Sequence, residues 1–449
     1  MRDLFKWELV KVLIVLAILA VLLGKIFFGL ENAPIFLIIY GIGVTLALGV
    51  SFLIAFYYYQ DPYVLAMKDS HGKSREKYFV SCMVAVRNEE ENIARCIDSM
   101  LGQTYQKKEV IVVNDASTDG TLKILEEYKK KKKIKLISLP NNVGKKRALA
   151  KAMAVAQGNI FAHTDSDSTW SPCAVEKIVR IFEHDAEIGA VSGHGRALNR
   201  DQNFLTRIQD SWMEGQFSVR KAFESVFAAV TCVSGPLAVF RKEAVYNFIP
   251  AWENDAFLGQ EFKFATDRTM TGFVLGGGTI GKKMKNKYAE SPFVKGHDYP
   301  TKNWKVVYSK AAKSLTIVPD TLPKFIRQQV RWKKSFIKNI FFTGKFYWRR
   351  PVLPAFAYYA HIVFVLMGPF ISFHHLIYLP LKGDAYAAIL YLLGVIFVGF
   401  MFGLAYKIEN KDSHGWIYRP AMSVMSTLVV SWLVFYSALT IRKMTWTRG

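Results

Sequence analysis

Cysteine is scarce in this chain, which has four in 449 residues (Cys82, Cys96, Cys173 and Cys232), with no CxxC pair and no His/Cys cluster at zinc spacing. A disulfide scaffold and a zinc-organised fold are therefore excluded, and a reduced cytosolic compartment is the simplest setting. Acidic residues are outnumbered, 36 Asp and Glu against 59 Lys and Arg, for a formal net charge of +23. Anionic partners follow: nucleotide phosphates, an acidic polymer, nucleic acid or lipid headgroups, among which charge alone does not choose. No internal repeat or low-complexity linker interrupts the sequence, and an apolar share of 51% excludes a disordered chain. The length allows two or three structural units.

The apolar residues crowd the two ends, in stretches long enough to cross about 30 Å of hydrocarbon. Five spans are predicted: Val12 to Phe28, with Lys25 able to snorkel; Pro34 to Tyr57, ending in the aromatic run Tyr57-Tyr58-Tyr59; Pro354 to Pro380; Ala385 to Tyr406; and Pro420 to Ile441. A second hydrophobic run so soon after the first favours a helical hairpin over a cleaved signal peptide. Arg2, Lys6 and Lys11 on one flank and Lys345, Arg349 and Arg350 on the other place the polar middle in the cytoplasm under the positive-inside rule. Five crossings would leave the basic tail (Arg442, Lys443, Arg448) outside. The expectation is instead a cytoplasmic tail, with one of the last three blocks re-entrant, or with the 354–380 block, broken at Pro369, crossing twice or lying partly in the interface. The organisation predicted is a membrane hairpin over 1–60, a soluble domain over 61–320, an amphipathic interface helix over 321–350, and a membrane region with its tail over 351–449, in a multi-pass protein of the plasma membrane.

Within the soluble domain, short β-rich runs alternate with helical patterns. Strands are predicted at Phe79–Val86, Val110–Val113, Lys135–Leu139, Ile160–Thr164 and Ala190–Gly193, and helices at Glu91–Leu101, Thr121–Lys129, Lys146–Ala156 and Pro172–Phe182. This is the pattern of an open, mostly parallel α/β sheet, which binds ligands at the carboxyl ends of its strands.

Polar clusters follow those strands. The first two are Arg87-Asn88-Glu89-Glu90 and Asn114-Asp115-Ala116-Ser117-Thr118-Asp119-Gly120-Thr121. A carboxylate fixed at a strand end suits a ribose or a uracil ring, or else Asp115 and Asp119 form only an Asx turn and a helix cap. Asn142-Val143-Gly144-Lys145-Lys146-Arg147 opens a helix with backbone N–H groups and three cations, an arrangement suited to a diphosphate. Asp165-Ser166-Asp167 offers two carboxylates at i and i+2 for a hard divalent cation. Further on come Ser234-Gly235-Pro236-Leu237 and Thr266-Asp267-Arg268, where Asp267 is either a general base or the partner of Arg268. Gln328, Arg331 and Trp332 fall at i, i+3 and i+4, so one helix face can present all three, at a site or at a membrane surface. The run Gly276 to Lys282 imitates a phosphate loop but has Lys283 where Ser or Thr is required, and it is set aside.

Together these residues resemble the processive membrane glycosyltransferases of family 2. The matching set is Arg87-Asn88-Glu89, the run 114–121, Asp165-Ser166-Asp167, Thr266-Asp267-Arg268 and the QxxRW motif at Gln328 to Trp332. The likeness is greatest to the hyaluronan-polymerising members, through Gly193-His194, Phe204-Leu205-Thr206-Arg207, Ser234-Gly235-Pro236-Leu237, Arg331 to Phe336 and Trp446-Thr447-Arg448. Asn114, Val233 and Ala265-Thr266 depart from that pattern, and the tail lacks its glycine. Other β-linked polymers (chitin, poly-N-acetylglucosamine, cellulose) and single transfer to a lipid carrier stay open.

The resemblance implies a GT-A-like domain between membrane helices, polymerising sugars from UDP-sugar donors with inversion and passing the product across the membrane. Asp165 and Asp167 would hold Mg²⁺ or Mn²⁺ on the diphosphate; Arg87, Asn88, Glu89 and Asp115 the uridine; Lys145 and Arg331 the phosphates. Asp267 would be the base, and Ser234, Gly235, Gln328 and Trp332 would receive the acceptor. The partners implied are UDP-sugars, the growing polysaccharide and membrane lipids, with no nucleic acid.

Overall fold

Residues 12, 15–24, 35–69, 77–411 and 413–444 are described by the structure, a computed structural model. Strand β1 (Val80–Val86) is apolar at almost every position and buried on both faces, as a central parallel strand must be. It is flanked by β2 (Lys108–Asn114) and β4 (Ile160–Thr164), with β3 (Lys135–Ser138) outside β2, all four running parallel. Alternate side chains feed two cores: Cys82, Val84, Val110 and Val112 turn to one face, Met83, Ile111, Val113 and Phe161 to the other. The helices Ile93–Leu101, Thr121–Lys130, Lys145–Val155 and Ala174–His184 lie within one or two residues of their predicted bounds.

Beyond β4 the sheet departs from the parallel pattern. Strand β5 (Ser168–Trp170) forms the far edge, β6 (Ile188–Ala197) and β7 (Ala238–Arg241) lie next to one another, and β10 (Lys305–Thr316) completes the order β3-β2-β1-β4-β7-β6-β10-β5. Both β7 and β5 run antiparallel to their neighbours. Three strands of this sheet escaped the sequence reading for physical reasons: β5 and β7 are too short to show a period, and β10 is polar and bulged between Tyr308 and Lys313. A hairpin of β8 (Ala256–Phe257) and β9 (Gln260–Glu261) stands apart from the sheet.

Register explains where polar residues collect. Val86 pairs with Asn114 and Val84 with Thr164, so Arg87, Asp115 and Asp165 leave the sheet along one edge. Because β7 is antiparallel and Ala238 pairs with His163, the turn before β7 brings Ser234 and Gly235 to that same edge.

Among the described residues three helices are long and apolar enough to cross a membrane, Ile35–Asp69, Val352–Leu381 and Ala385–Ile408, and Gly415–Val430 with Leu433–Leu439, bent by 42°, make a fourth when taken as one span. Four of the five predicted blocks coincide with these helices, and the first, Val12 to Phe28, extends outside the described residues. Val15–Gly24 is too short among the described residues, and Lys25, Arg2, Lys6, Lys11 and the Trp446-Thr447-Arg448 tail lie outside them. Pro369 does not divide its block, because the helix continues past it through a π-turn at His374–Tyr378. The membrane helices dock on the sheet: the Tyr59 hydroxyl donates to the Tyr308 carbonyl (3.0 Å), and Asp61 accepts from Ser309 Oγ and Ala311 N (2.8 Å each) within the β10 bulge.

The glycine run set aside above lies inside the helix Thr266–Lys287, where glycine permits close approach: a Cβ on Gly276 would stand 2.6 Å from the Phe346 ring, and one on Gly277 2.5 Å from the Lys302 carbonyl oxygen. Gly276→Ala is therefore expected to destabilise the protein by about 1–3 kcal/mol through overpacking, lowering the thermal midpoint in detergent; an unchanged midpoint would refute this packing account.

Candidate active site

The turns after β1 and β2 are stitched into one unit. Asn88, at φ 52°, accepts from Thr118 N (2.8 Å) and donates its own N–H to Ser117 Oγ (3.1 Å). Glu89 N donates to Thr121 Oγ1 (2.8 Å), and Glu90 accepts from Gly120 N (2.6 Å). Asp119 accepts from Thr121 N (3.0 Å) and Glu90 N (3.3 Å), so it serves these turns. Arg87 is exposed beside them.

Asp115 reaches across to the next turn. Its two oxygens accept from Val143 N (2.7 Å) and Gly144 N (3.0 Å). Gly144 sits at φ 85°, a conformation that favours glycine, and immediately precedes the helix carrying Lys145. The three cations of that helix start separate: Lys145 pairs with Asp165, Lys146 with Asp255, and Arg147 with Glu261. The expected three-cation cradle is thus reduced to Lys145.

Asp165 and Asp267 converge. A Cβ on Gly235 would stand 2.6 Å from Asp165 Oδ2 and 2.9 Å from Asp267 Oδ2, so both carboxylates close on one glycine that no other residue can replace without displacing them. Asp267 lies in the first turn of the helix Thr266–Lys287, behind Ala265 at φ 60°. Its Oδ1 is buried and has no hydrogen-bond partner among the described residues. Asp167, two residues beyond Asp165, accepts from Ser168 Oγ and Thr316 Oγ1 (3.3 Å each).

The electrostatics follow from crowding. Burial, with the charge of Asp165 added, pushes the Asp167 carboxyl up to about 6 against the pull of Lys145. Burial likewise raises Asp267 to about 6, opposed by Lys145 and reinforced by Asp165. For Lys145, burial alone would depress the ammonium, but Asp165, Asp267 and Asp167 outweigh it and hold it firmly protonated. Burial lowers Arg331, while Asp165 and Asp167 pull the other way, which brings its charge into the same cluster.

The remaining candidates lie around this centre. Ser234 Oγ and Ser192 Oγ both accept from Lys221, a buried ammonium the sequence reading missed. Gln328 and Trp332 line a narrow slot with Gln209, Trp212, Met213, Val318 and Gln329; Trp332, 41% exposed, stacks on Trp212 at 5.7 Å between ring centroids. Trp212 carried no motif, and only its apolar position on the helix Phe204–Gly215 could have flagged it. His163, one strand position before Thr164, is buried and pushed down to about 3 by burial and then by Lys145, so it is a neutral ring behind Asp165. Among the described residues no group of three or more His, Cys, Asp or Glu side chains is placed to hold a metal ion.

A carboxyl raised by burial costs stability once ionised. With an ordinary value near 3.8 and a folded value of about 6, Asp267 binds more protons in the folded chain between those limits, so its penalty builds up as pH rises from about 3.8 and is complete above about 6. Asp267→Asn should therefore stabilise the protein at pH 7.5 by on the order of 2 kcal/mol and give no gain below pH ~4. Thermal unfolding in detergent at both pH values checks this; destabilisation at pH 7.5 would contradict it.

Comparison with known proteins places these features. Residues 81–248 match the family model described as Glycosyl transferase family 2. The chain is 26% identical over 439 residues to the hyaluronan synthase of Streptococcus pyogenes serotype M1, covering 94% of this chain and 92% of that protein. It is 29% identical over 250 residues to an N-acetylglucosaminyltransferase of Rhizobium sp. (strain N33), covering 55% of this chain and 50% of the relative. Among solved structures it matches the mannosyltransferase PcManGT of Pyrobaculum calidifontis, in complex with GDP-Man and Mn²⁺, at a TM-score of 0.49 and 18% identity over 90% of this chain and 98% of that one. The mixed, mostly parallel sheet, with its polar turns gathered on one edge, thus carries over residues 81–248 the match to Glycosyl transferase family 2, in a chain that has apolar helices at both ends and is similar along its length to hyaluronan synthases.

Proposed function

We propose that the protein is a processive, inverting β-glycosyltransferase that polymerises hyaluronan from UDP-GlcNAc and UDP-GlcA and passes the polymer through its membrane helices. The observation that carries this reading is the meeting of Asp165 and Asp267 on Gly235, with Lys145 paired to Asp165. Transfer needs a donor diphosphate held against positive charge and an acceptor hydroxyl relieved of its proton in line with the breaking bond. Lys145 and Arg331 supply that positive charge. Asp267, with one oxygen unengaged and its carboxyl tuned to about 6, takes the acceptor proton. The stitched turns bearing Arg87, Asn88 and Glu89, together with Asp115, shape the uridine end, and Ser234, Gly235, Gln328 and Trp332 form the acceptor side.

The donor set fits Mg²⁺ or Mn²⁺. Asp165 and Asp167 give two hard oxygen ligands whose mutual repulsion a dication relieves, and such ions take their other ligands from diphosphate and water, so a third protein ligand is not required. When bound, the ion supplies charge neutralisation at the leaving diphosphate.

Export follows from chemistry, since a polysaccharide crossing bare hydrocarbon would leave its hydroxyls without water. The three or four apolar helices attached to the sheet provide the protein-lined alternative. The basic residues Lys345, Arg349 and Arg350 beside the helix Val352–Leu381 support a cytoplasmic catalytic domain under the positive-inside rule, in a protein of the plasma membrane. A second reading, a polymer of N-acetylglucosamine alone, is favoured by the higher identity, 29%, to the N-acetylglucosaminyltransferase over part of the chain.

Purified protein given UDP-GlcNAc and UDP-GlcA separately and together, with UDP release and product size measured, decides between these. Polymer only with both donors is the expected result; polymer from UDP-GlcNAc alone transfers the assignment to the second reading, and inertness with both rejects the two. Asp267→Asn should lower turnover by about 10²–10⁴-fold while leaving UDP affinity within about threefold, and EDTA should abolish turnover until Mg²⁺ or Mn²⁺ is restored. Near-normal turnover in the variant removes Asp267 as base, and full activity in EDTA removes the metal.

A further inference from the structure

Lys145, the proposed base Asp267 and the QxxRW residues Gln328, Arg331 and Trp332 sit on three different helices, Lys145–Val155, Thr266–Lys287 and Leu322–Phe342, and a misplacement of about 1 Å between them costs on the order of a hundredfold in rate. One buried carboxylate touches all three. Asp255, in the turn leading into β8, accepts through Oδ2 from Lys146 Nζ (2.7 Å), Lys338 Nζ (2.8 Å) and Thr269 Oγ1 (3.3 Å). Lys338 Nζ donates also to Thr269 Oγ1 (2.8 Å), and Lys146 Nζ to the Phe262 carbonyl (2.8 Å), which ties in the β8–β9 hairpin. The sequence places each partner next to the chemistry: Lys146 follows Lys145, Thr269 is two positions after Asp267, and Lys338 is two helical turns beyond Arg331, at i+7 on the same face.

The node is dry and unbalanced in charge. Lys146 and Lys338 are 5% and 3% exposed and Asp255 is 10% exposed, so two ammonium groups share one carboxylate away from water. Aromatic rings close the site, Phe262 at 5.8 Å from Lys146 Nζ and Phe342 at 4.6 Å from Lys338 Nζ. Burial lowers both ammonium groups, with Asp255 opposing, and Lys338 is pushed down to about 8. Removing the carboxylate charge would leave two like charges facing one another in a low-dielectric pocket, and the helices that carry them would separate.

We infer that Asp255 is a positioning residue of the transferase: it locks the Lys145 helix, the Asp267 helix and the QxxRW helix in one relative placement through a shared carboxylate, without touching donor or acceptor. The inference rests on the reading of the site given above.

The test uses the full chain in detergent, with three readouts: turnover, UDP affinity, and hydrogen exchange of Thr266–Gly272 and Gln328–Phe336. Asp255→Asn should lower kcat by about 100-fold, keep UDP affinity within about threefold, and raise exchange in both helix segments while leaving β1 and β4 protected. Asp255→Glu, which retains the charge, should recover most of that loss. Adding Lys338→Met to Asp255→Asn removes one of the two facing ammonium groups and should restore part of kcat, whereas losses that simply add would mean packing alone. Unchanged exchange in the two segments, or kcat within threefold of wild type, overturns the inference. Should Asp255→Asn fail to fold, Lys338→Met alone carries the test: exchange raised at Gln328–Phe336 supports the inference, and unchanged exchange overturns it. If the wild-type chain turns over no sugar donor, the functional reading fails while the exchange comparison still decides the role of Asp255.

Discussion

One ammonium group organises the centre of this protein. Lys145 is the cation that Asp165, Asp167 and Asp267 all sense, and it stays charged despite burial because three carboxylates surround it. The arrangement is one of mutual dependence. Without Lys145 the three acids would repel one another in a medium that screens poorly; without the acids nothing would oppose the depression of the lysine by burial. A site with more carboxylates than cations is poised for added positive charge, which on the proposed reading a divalent ion accompanying a nucleotide diphosphate would supply. The backbone supports this at two glycines: Gly144, whose left-handed conformation aims Lys145, and Gly235, whose missing side chain leaves room for two carboxylates.

Much of this was legible in the sequence, and the reasons differ from element to element. The strands β1, β2 and β4 announce themselves as apolar, β-branched runs because they are buried on both faces, and the polar turns after them fall on one edge because parallel strands share a direction. Asp165 and Asp267 could be named from their motifs, but nothing in a sequence gives the antiparallel strand β7, whose preceding turn brings Gly235 between them, since four residues show no period. Lys146 and Arg147 were misread for a related reason: three adjacent cations at a helix start look like one anion site, yet helical geometry turns successive side chains about 100° apart, and each finds its own carboxylate. Asp255, Lys221 and Trp212 carried no local signal, because their partners lie far away in the chain.

The same geometry constrains how the sheet meets the membrane. The junction is polar and buried: Arg196 of β6 donates to Asp210 through Nε (2.9 Å), to Glu214 (2.8 Å) and to the hydroxyl of Tyr406 in the helix Ala385–Glu409 (2.8 Å). His194 joins through Glu214 (3.3 Å) and Tyr308 (2.6 Å), and Tyr308 is the residue whose carbonyl receives Tyr59 from the first long membrane helix. Apolar packing alone would let the sheet slide over the membrane helices at little cost, because one greasy contact substitutes for another. A buried ion pair with fixed hydrogen-bond directions does not allow that, since moving either partner strands a charge, at a cost of about 3–5 kcal/mol. The sheet and two membrane helices are thereby held in one register, so that whatever leaves the edge where Asp165 and Asp267 meet does so at a fixed place relative to the spans.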